Sequence, residues 1–378
     1  MAEKPNALVL APSFLPDMGG LEMLSFRLVQ HAQRVSPFVV APDTPGSTAF
    51  DAEHRLDIRR TPNEPPGGRR AMTRLAITAT REAHRRRPDV VISMHLRSSY
   101  CAPLLARTPG VPFVQYVHAR ELVQRPRLAR FLFQRAAATI AVSSYTAGLA
   151  LACGAPAERL HTIPPGVDLQ REIAPPRDGP PTIVTVARLD DEYKGHDVVL
   201  QAMRLVRDVV PDARWIVVGE GSLRAKLERE ARTLGVAEAV EFRGSVTEAQ
   251  RDEALDSADV FVMASRVPRD GAGGEGFGMV YLEASARGVP VIAGRAGGAV
   301  DAVDDGVTGY LVDPESPDEV ADAVLRVLTD RDCALALGQA GVAWSKHFAW
   351  PVIVERVEEV VCRVAHARSQ SRGRIRTS

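Results

Sequence analysis

The chain has 378 residues, 45% of them hydrophobic and 25% charged, with a formal net charge of zero. This length suits two domains with separate cores, and the composition is that of an ordinary globular protein rather than a disordered one. The balanced charge removes any general case for a nucleic-acid partner.

At the amino end, MAEKPNALVLAP carries an early acid and an apolar run too short for a secretory signal. No stretch approaches the ~18 apolar residues that span a bilayer. Cys101, Cys153, Cys333 and Cys362 are scattered, without metal or redox spacing, as suits a reducing compartment. The location this predicts is cytoplasmic, with any membrane contact peripheral, on the inner face.

Residues 7–11 read as a buried strand. Gly19 and Gly20 make a turn, and 21–32 carry apolar residues at helical spacing. A strand, a glycine turn and a helix open a Rossmann-like domain. A strand at 38–41 follows. Residues 42–68, rich in Pro, Gly, Thr and Asp, read as loop with one short strand near 56–59. Residues 70–87 form a basic helix with sparse apolar positions, and Arg59, Arg60, Arg69, Arg70, Arg74 and Arg81 belong to a wider excess of arginine in this half. That excess fits an anionic acceptor or lipid surface, and it equally fits solvated helix faces.

Strands are expected at 90–93, 112–117 and 139–143, and helices at 100–107 and 127–137. His118 stands at the carboxyl end of a strand, where α/β sheets bind ligands; a structural histidine is the competing reading. A short strand at 160–163 ends the first domain. The Pro/Gly-rich QREIAPPRDGPPT that follows reads as linker. The expected organisation is a domain over 1–170, a linker over 171–181, a second domain over 182–350, a helix over 351–366 crossing back to the first domain, and a basic, disordered tail over 367–378.

The second domain alternates strand and helix, which favours a parallel sheet. The strand at 182–187 delivers Arg188, and Lys194 follows before the next helix. The strand at 214–218 ends in Gly219 and Gly221, a turn that fits close approach of a ligand and also simple turn geometry. A strand at 240–242 leads to Val246 and Glu248; Glu248 also suits a helix start for capping reasons. After a strand at 260–263 comes GGEGFGMVYLEASARG, residues 273–288. Glycine-rich backbone passing into a helix exposes N–H groups to an anion, most often phosphate. Glu275 and Glu283 lie about 12 Å apart along an ideal axis and off one face. They suit two ends of one extended ligand, or a helix-start acid and a solvated helix residue. The acidic run Asp190, Asp191, Glu192 reads as a solvated loop in preference to a metal site.

Arg188, Lys194, Glu275-x7-Glu283 and GVPVIAGRAGG at 288–298 together carry a resemblance. Residues 182–313 closely resemble the donor domain of the retaining family 4 glycosyltransferases, and the similarity extends weakly over most of the chain. Phosphatidylinositol mannosyltransferases and other GDP-mannose users are the most alike. One departure is the five residues between Arg188 and Lys194, where many members have four. The resemblance implies an α/β chain of two facing Rossmann-like domains (GT-B), each a parallel sheet with helices on both faces. It implies transfer of a hexose, most readily mannose from GDP-mannose, to a lipid, glycan or small natural product, with no cofactor and no metal. Arg188 and Lys194 would meet the leaving diphosphate, Glu275 the sugar hydroxyls and Glu283 the ribose. Gly19, Gly20, Gly219, Gly276, Phe277, Gly278, Met279 and Val280 would line the donor, with Val246 and Glu248 at the base and His118 beside the sugar. His118 is followed by Ala119 where many members have Asp, so it orients sugar or stabilises charge and is assigned no base role. A UDP-glucose or UDP-N-acetylhexosamine donor is the main alternative. An epimerase or phosphorylase of the same architecture, or a nucleotide-sugar sensor, are the others; acceptor-dependent release of nucleotide separates a transferase from these.

Overall fold

The computed structural model describes residues 4–63, 67–107, 110–170, 179–269, 271 and 273–376. It divides into two compact units, residues 1–166 with 350–378, and residues 167–349. Most of the expected linker, 171–178, lies outside the described residues. Among the described residues no helix is long and apolar enough to cross a membrane.

The first unit holds seven strands: β1 (Asn6–Leu10), β2 (Ser36–Pro42), β3 (Ile58–Thr61), β4 (Val90–Ser93), β5 (Phe113–Val117), β6 (Ala138–Ala141) and β7 (Leu160–Thr162). Their order is β3-β2-β1-β4-β5-β6-β7, all parallel, with Leu8 opposite Phe38 and Val91 opposite Phe113. Leu8, Leu10, Val40 and Val91 enter one core cluster. Ala7, Val9 and Ile92, pointing the other way, are buried too. Apolar side chains on both faces are what a parallel sheet covered by helices requires. The order reverses between β1 and β4, so the loops after these strands diverge and leave a crevice at their carboxyl ends.

Three segments depart from the sequence reading. The stretch expected as loop contains the helix Ser47–Glu53, fixed by stacking of Phe50 on His54 and by the Arg60–Asp51 ion pair at 2.7 Å. A short helix, Ala119–Gln124, follows His118 directly, and Pro126 then opens the helix Pro126–Phe133, a position that loses nothing by lacking an N–H. The final helix runs Trp350–Arg376, well past His366, so the described part of the tail is helical rather than disordered. Once its packed half is formed, each further turn costs little, and Arg368 adds a bond to the Pro88 carbonyl at 2.6 Å. This helix belongs to the first unit. Its buried Glu358 accepts from the backbone N–H groups of Gln33, Arg34 and Val35 at 2.8, 2.6 and 3.0 Å.

The second unit holds β8 (Thr182–Val186), β9 (Arg214–Val218), β10 (Val240–Gly244), β11 (Val260–Met263), β12 (Val291–Gly294) and β13 (Gly309–Val312). The order is β10-β9-β8-β11-β12-β13, again all parallel. Trp215, Val217, Val260 and Val262 face one core cluster, and Ile216, Val218, Phe261 and Met263 face another. The sheet is thus a two-sided apolar layer, and only its strand ends carry chemistry.

Candidate active site

In the second unit the loops after β8, β9, β11 and β12 crowd together at the carboxyl edge. They touch through glycine backbone. A Cβ on Gly219 would sit 1.9 Å from the Ala187 carbonyl oxygen, and one on Gly298 would sit 2.2 Å from that of Gly276. Gly219 therefore lets the end of β9 pack on the loop that carries Arg188. Gly298 seats the turn after β12 on the Glu275 loop, where its N–H donates to the Glu275 carbonyl at 2.8 Å. The downstream GRAGG run thus clamps the loop whose carboxylate is a site candidate.

Lys194 and Glu275, 81 residues apart in sequence, form a direct ion pair, with side chains only 14% and 13% exposed. Burial works to lower the lysine pKa, but the charge and hydrogen bond of Glu275, with Tyr193 and Asp191, together outweigh it, and the net direction is upward. Lys194 is a cation at neutral pH. The loop before it ends in a 3-10 turn, Glu192–Lys194, closed by Gly195 at φ 78°. Arg188 is 71% exposed, and the Asp191 carboxylate lies 3.7 Å from it. The acidic run is partnered residue by residue: Asp190 accepts from the Ser222 N–H at 2.8 Å, and Glu192 pairs with Lys226 at 3.0 Å.

Glu283 lies on the helix Met279–Ser285, 3.4 Å from Arg251. Burial raises its pKa; Arg251 and Arg287 pull it down, and Asp252 and Asp168 push it further up. Arg287 is itself buried, bonded to Asp252 at 2.6 Å, to Asp256 at 3.0 Å and to the Glu283 carbonyl at 3.0 Å. The Glu283 carboxylate is therefore met directly by Arg251 and feels the charge of Arg287, whose own bond is to the Glu283 backbone carbonyl. Gly278 begins this helix at φ 87°. Phe277 is buried against Phe348, so its ring belongs to the core and only its backbone remains for a ligand. Met279 and Val280 pack on the same core. Val246 also rests on this core, and Glu248 lies exposed in the first turn of the helix Glu248–Asp256, which Thr247 and Gln250 cap. A recess of about 720 Å³ lies at the opposite, amino edge, beside Thr182, Arg214, Val240 and Asp259. It shares no residue with these groups, and ligands in such sheets bind at carboxyl ends.

In the first unit, Gly19 and Gly20 are exposed at the start of the helix Gly20–Gln30, after β1. His118 follows β5 and His95 follows β4, so neighbouring strands deliver two imidazoles, with rings 6.0 Å apart and 22° from parallel. The His118 Nε2 lies 3.0 Å from the Met94 carbonyl, and a capping box joins His118 to Glu121. Burial pushes the His118 pKa down, which keeps it neutral. The wholly buried Glu121 carboxylate accepts from the N–H groups of His118 at 3.0 Å and Leu96 at 2.7 Å, and meets His95 Nδ1 at 2.8 Å. His95 and Glu121 escaped the sequence reading. The signal was there for His95, a polar residue just past a β-branched strand end, the same signal that singled out His118.

Residues 18–171 match the family described as Glycosyltransferase Family 4, and residues 167–344 match Glycosyl transferases group 1. A GDP-mannose-dependent alpha-(1-6)-phosphatidylinositol monomannoside mannosyltransferase of Mycobacterium tuberculosis is 39% identical over 230 residues, 58% of this chain and 60% of that protein. The match thus spans less than two thirds of that relative's length. Among solved structures, Anabaena HepE in complex with UDP and glucose superposes with a TM-score of 0.79 at 21% identity, over 95% of this chain and 99% of that one. Sucrose-phosphate synthase from Thermosynechococcus elongatus gives 0.81 at 19% identity, over 96% and 100%. At these identities the structural likeness speaks to the fold.

Proposed function

The chain belongs to the group 1 and family 4 glycosyltransferases, and from that premise we propose that it is a retaining hexosyltransferase moving mannose from GDP-mannose to a lipid-linked acceptor. The observation that carries this reading is the Lys194–Glu275 pair at the carboxyl edge of the second sheet. A nucleotide-diphospho sugar offers each member a substitute partner. The diphosphate takes the ammonium of Lys194, and the sugar hydroxyls donate to the carboxylate of Glu275. One charge-assisted contact replaces another, so binding does not strand a buried charge.

Arg188 adds a second cation where negative charge grows on the leaving diphosphate, helped by the backbone of Gly276 to Gly278. Glu283 holds the ribose, and Val246 and Glu248 border the base. The bond from the anomeric carbon to the diphosphate oxygen breaks as the acceptor oxygen bonds on the same face, and the hydroxyl proton passes to the departing phosphate. No enzyme carboxylate becomes covalently attached, and no metal or other cofactor enters this scheme.

Support for mannose comes from relatives named as GDP-mannose-dependent, 39% and 38% identical to this chain. Their named acceptor, phosphatidylinositol monomannoside, makes a mannosylated inositol lipid the first acceptor to try. Glycans and small natural products follow, and a UDP-hexose is the second donor. The arginine-rich helix Arg69–Arg86 offers a basic face for peripheral contact with a membrane carrying such a lipid. Glu275→Gln and Arg188→Ala should each lower transfer about 10²–10³-fold, the scale of losing one transition-state charge contact, while remaining folded. Wild-type turnover in both variants refutes the assignment.

A further inference from the structure

We propose that Tyr193 is a positioning residue of the donor site: its ring face seats the Lys194 ammonium and keeps it aimed at the diphosphate once Glu275 turns to the sugar; this rests on the glycosyltransferase reading above. The Lys194 Nζ lies 5.3 Å from the centre of the Tyr193 ring, within the reach of a cation–π contact. The ammonium is thus met both by the Glu275 carboxylate and by a ring. A ligand affects these two partners differently. The exchange described above takes Glu275 away from the ammonium, and a lysine on its flexible four-carbon stem then keeps its place only if something else holds it. A neutral ring does so without cancelling the positive charge. Unlike a second carboxylate, it does not repel the incoming diphosphate.

The ring is carried on backbone that is fastened down. Tyr193 is the middle residue of the 3-10 turn Glu192–Lys194, and its carbonyl accepts the Arg266 N–H at 2.8 Å. A Cβ on Gly195 would sit 2.1 Å from the Ala264 carbonyl oxygen, so the turn rests directly on the chain leaving β11. The Arg266 guanidinium strengthens the same junction, donating to both carboxylate oxygens of Asp197 at 3.1 and 3.0 Å. A bidentate bond of this kind fixes direction as well as distance. Tyr193 itself is half-buried. Burial, the largest influence on its phenol, pushes the pKa up; Lys194 pulls it down, Glu275 and Asp191 push it further up, and Arg188 pulls it down. The net direction is upward, so at neutral pH the phenol is un-ionised and meets the ammonium as a π-face, not as a phenolate. Lys194, Glu275 and Arg188, whose charges the phenol feels, are the three charged groups assigned to the diphosphate and the sugar.

The test is the affinity of the full chain for GDP in Tyr193→Leu and Tyr193→Phe, measured beside wild type. Tyr193→Leu removes the π-face and should weaken GDP about tenfold, the scale of a desolvated cation–π contact. Tyr193→Phe keeps the ring and should restore affinity to within about threefold of wild type. In a Lys194→Met background, Tyr193→Leu should cost nothing further, a result that a merely structural role for Tyr193 would not give. Unchanged affinity in Tyr193→Leu, an equal loss in Tyr193→Phe, or a loss that persists beside Lys194→Met overturns the proposal. A second readout needs no substitution at position 193. The ring current of Tyr193 should move the Lys194 Hε resonances of the wild-type chain upfield, and the shift should survive saturation with GDP-mannose; Lys194→Met assigns the signals. No upfield shift in the free protein, or its loss when GDP-mannose is bound, overturns the seat. Failure of wild-type protein to bind GDP instead refutes the underlying glycosyltransferase reading. The ring-current shift of the free protein is read without ligand and separates the two failures.

Discussion

Two pairs of shielded carboxylates, one taken from each unit, differ in their partners. In the first unit, Glu121 and Glu358 accept backbone N–H groups, two and three respectively. In the second, Glu275 and Glu283 face the side-chain cations Lys194 and Arg251. A carboxylate wrapped in backbone donors cannot change partner without unfolding what surrounds it, so it acts as a bolt. One that meets a flexible ammonium or guanidinium can exchange that partner for a ligand. Burial alone does not separate structural from functional acids; the identity of the donor does.

Substitution should therefore separate stability from activity. Glu275→Gln, which costs transfer about 10²–10³-fold, should cost less thermal stability than Glu358→Gln, because its amide oxygen still accepts from the flexible Lys194 ammonium. Glu358→Gln should do the reverse, losing about 3 kcal/mol of first-unit stability, on the order expected when buried N–H donors lose a charged acceptor. Its GDP affinity should match wild type. Denaturant unfolding beside a binding titration checks both, and equal stability losses in the two variants break the comparison.

A smaller effect concerns Glu283. Burial, opposed by Arg251 and Arg287, leaves its pKa raised, so it protonates above the ordinary glutamate value of about 4.3. The sign follows: if the ribose donates to this carboxylate, GDP affinity falls as pH drops through that raised value, while the folded state, relieved of a buried charge, gains stability over the same interval. Glu283→Gln should abolish this pH dependence. A wild-type affinity that is flat from neutral pH down to the ordinary glutamate value removes Glu283 from the ribose site.

The same division explains what the sequence could reveal. Parallel strands were legible because runs such as LVL at 8–10 and FVM at 261–263 are apolar on both faces. Arg188, Lys194, Glu275 and Glu283 could be singled out as candidates because they fall in two short runs, 188–194 and 275–283. The Lys194–Glu275 contact was not, since it depends on two loops meeting through glycine backbone. Gly219 read as a ligand turn, whereas its missing Cβ makes room for the Ala187 carbonyl. Phe277 read as donor-lining, yet its ring packs in the core. Glu121 and Glu358 sit in unremarkable helical sequence, and only tertiary structure supplies their backbone donors. The last helix outran its expected end because polar, arginine-rich sequence resembles a disordered tail until a packed segment nucleates it.

The most direct measurement is equilibrium binding of GDP, UDP and ADP to the purified protein, side by side, with Arg188→Ala as control. The account predicts that GDP binds at least tenfold tighter than the others, about 1.4 kcal/mol, and that Arg188→Ala weakens it. A preference for UDP would contradict the mannosyl assignment, and no binding, or equal binding by the control, would contradict the donor site itself.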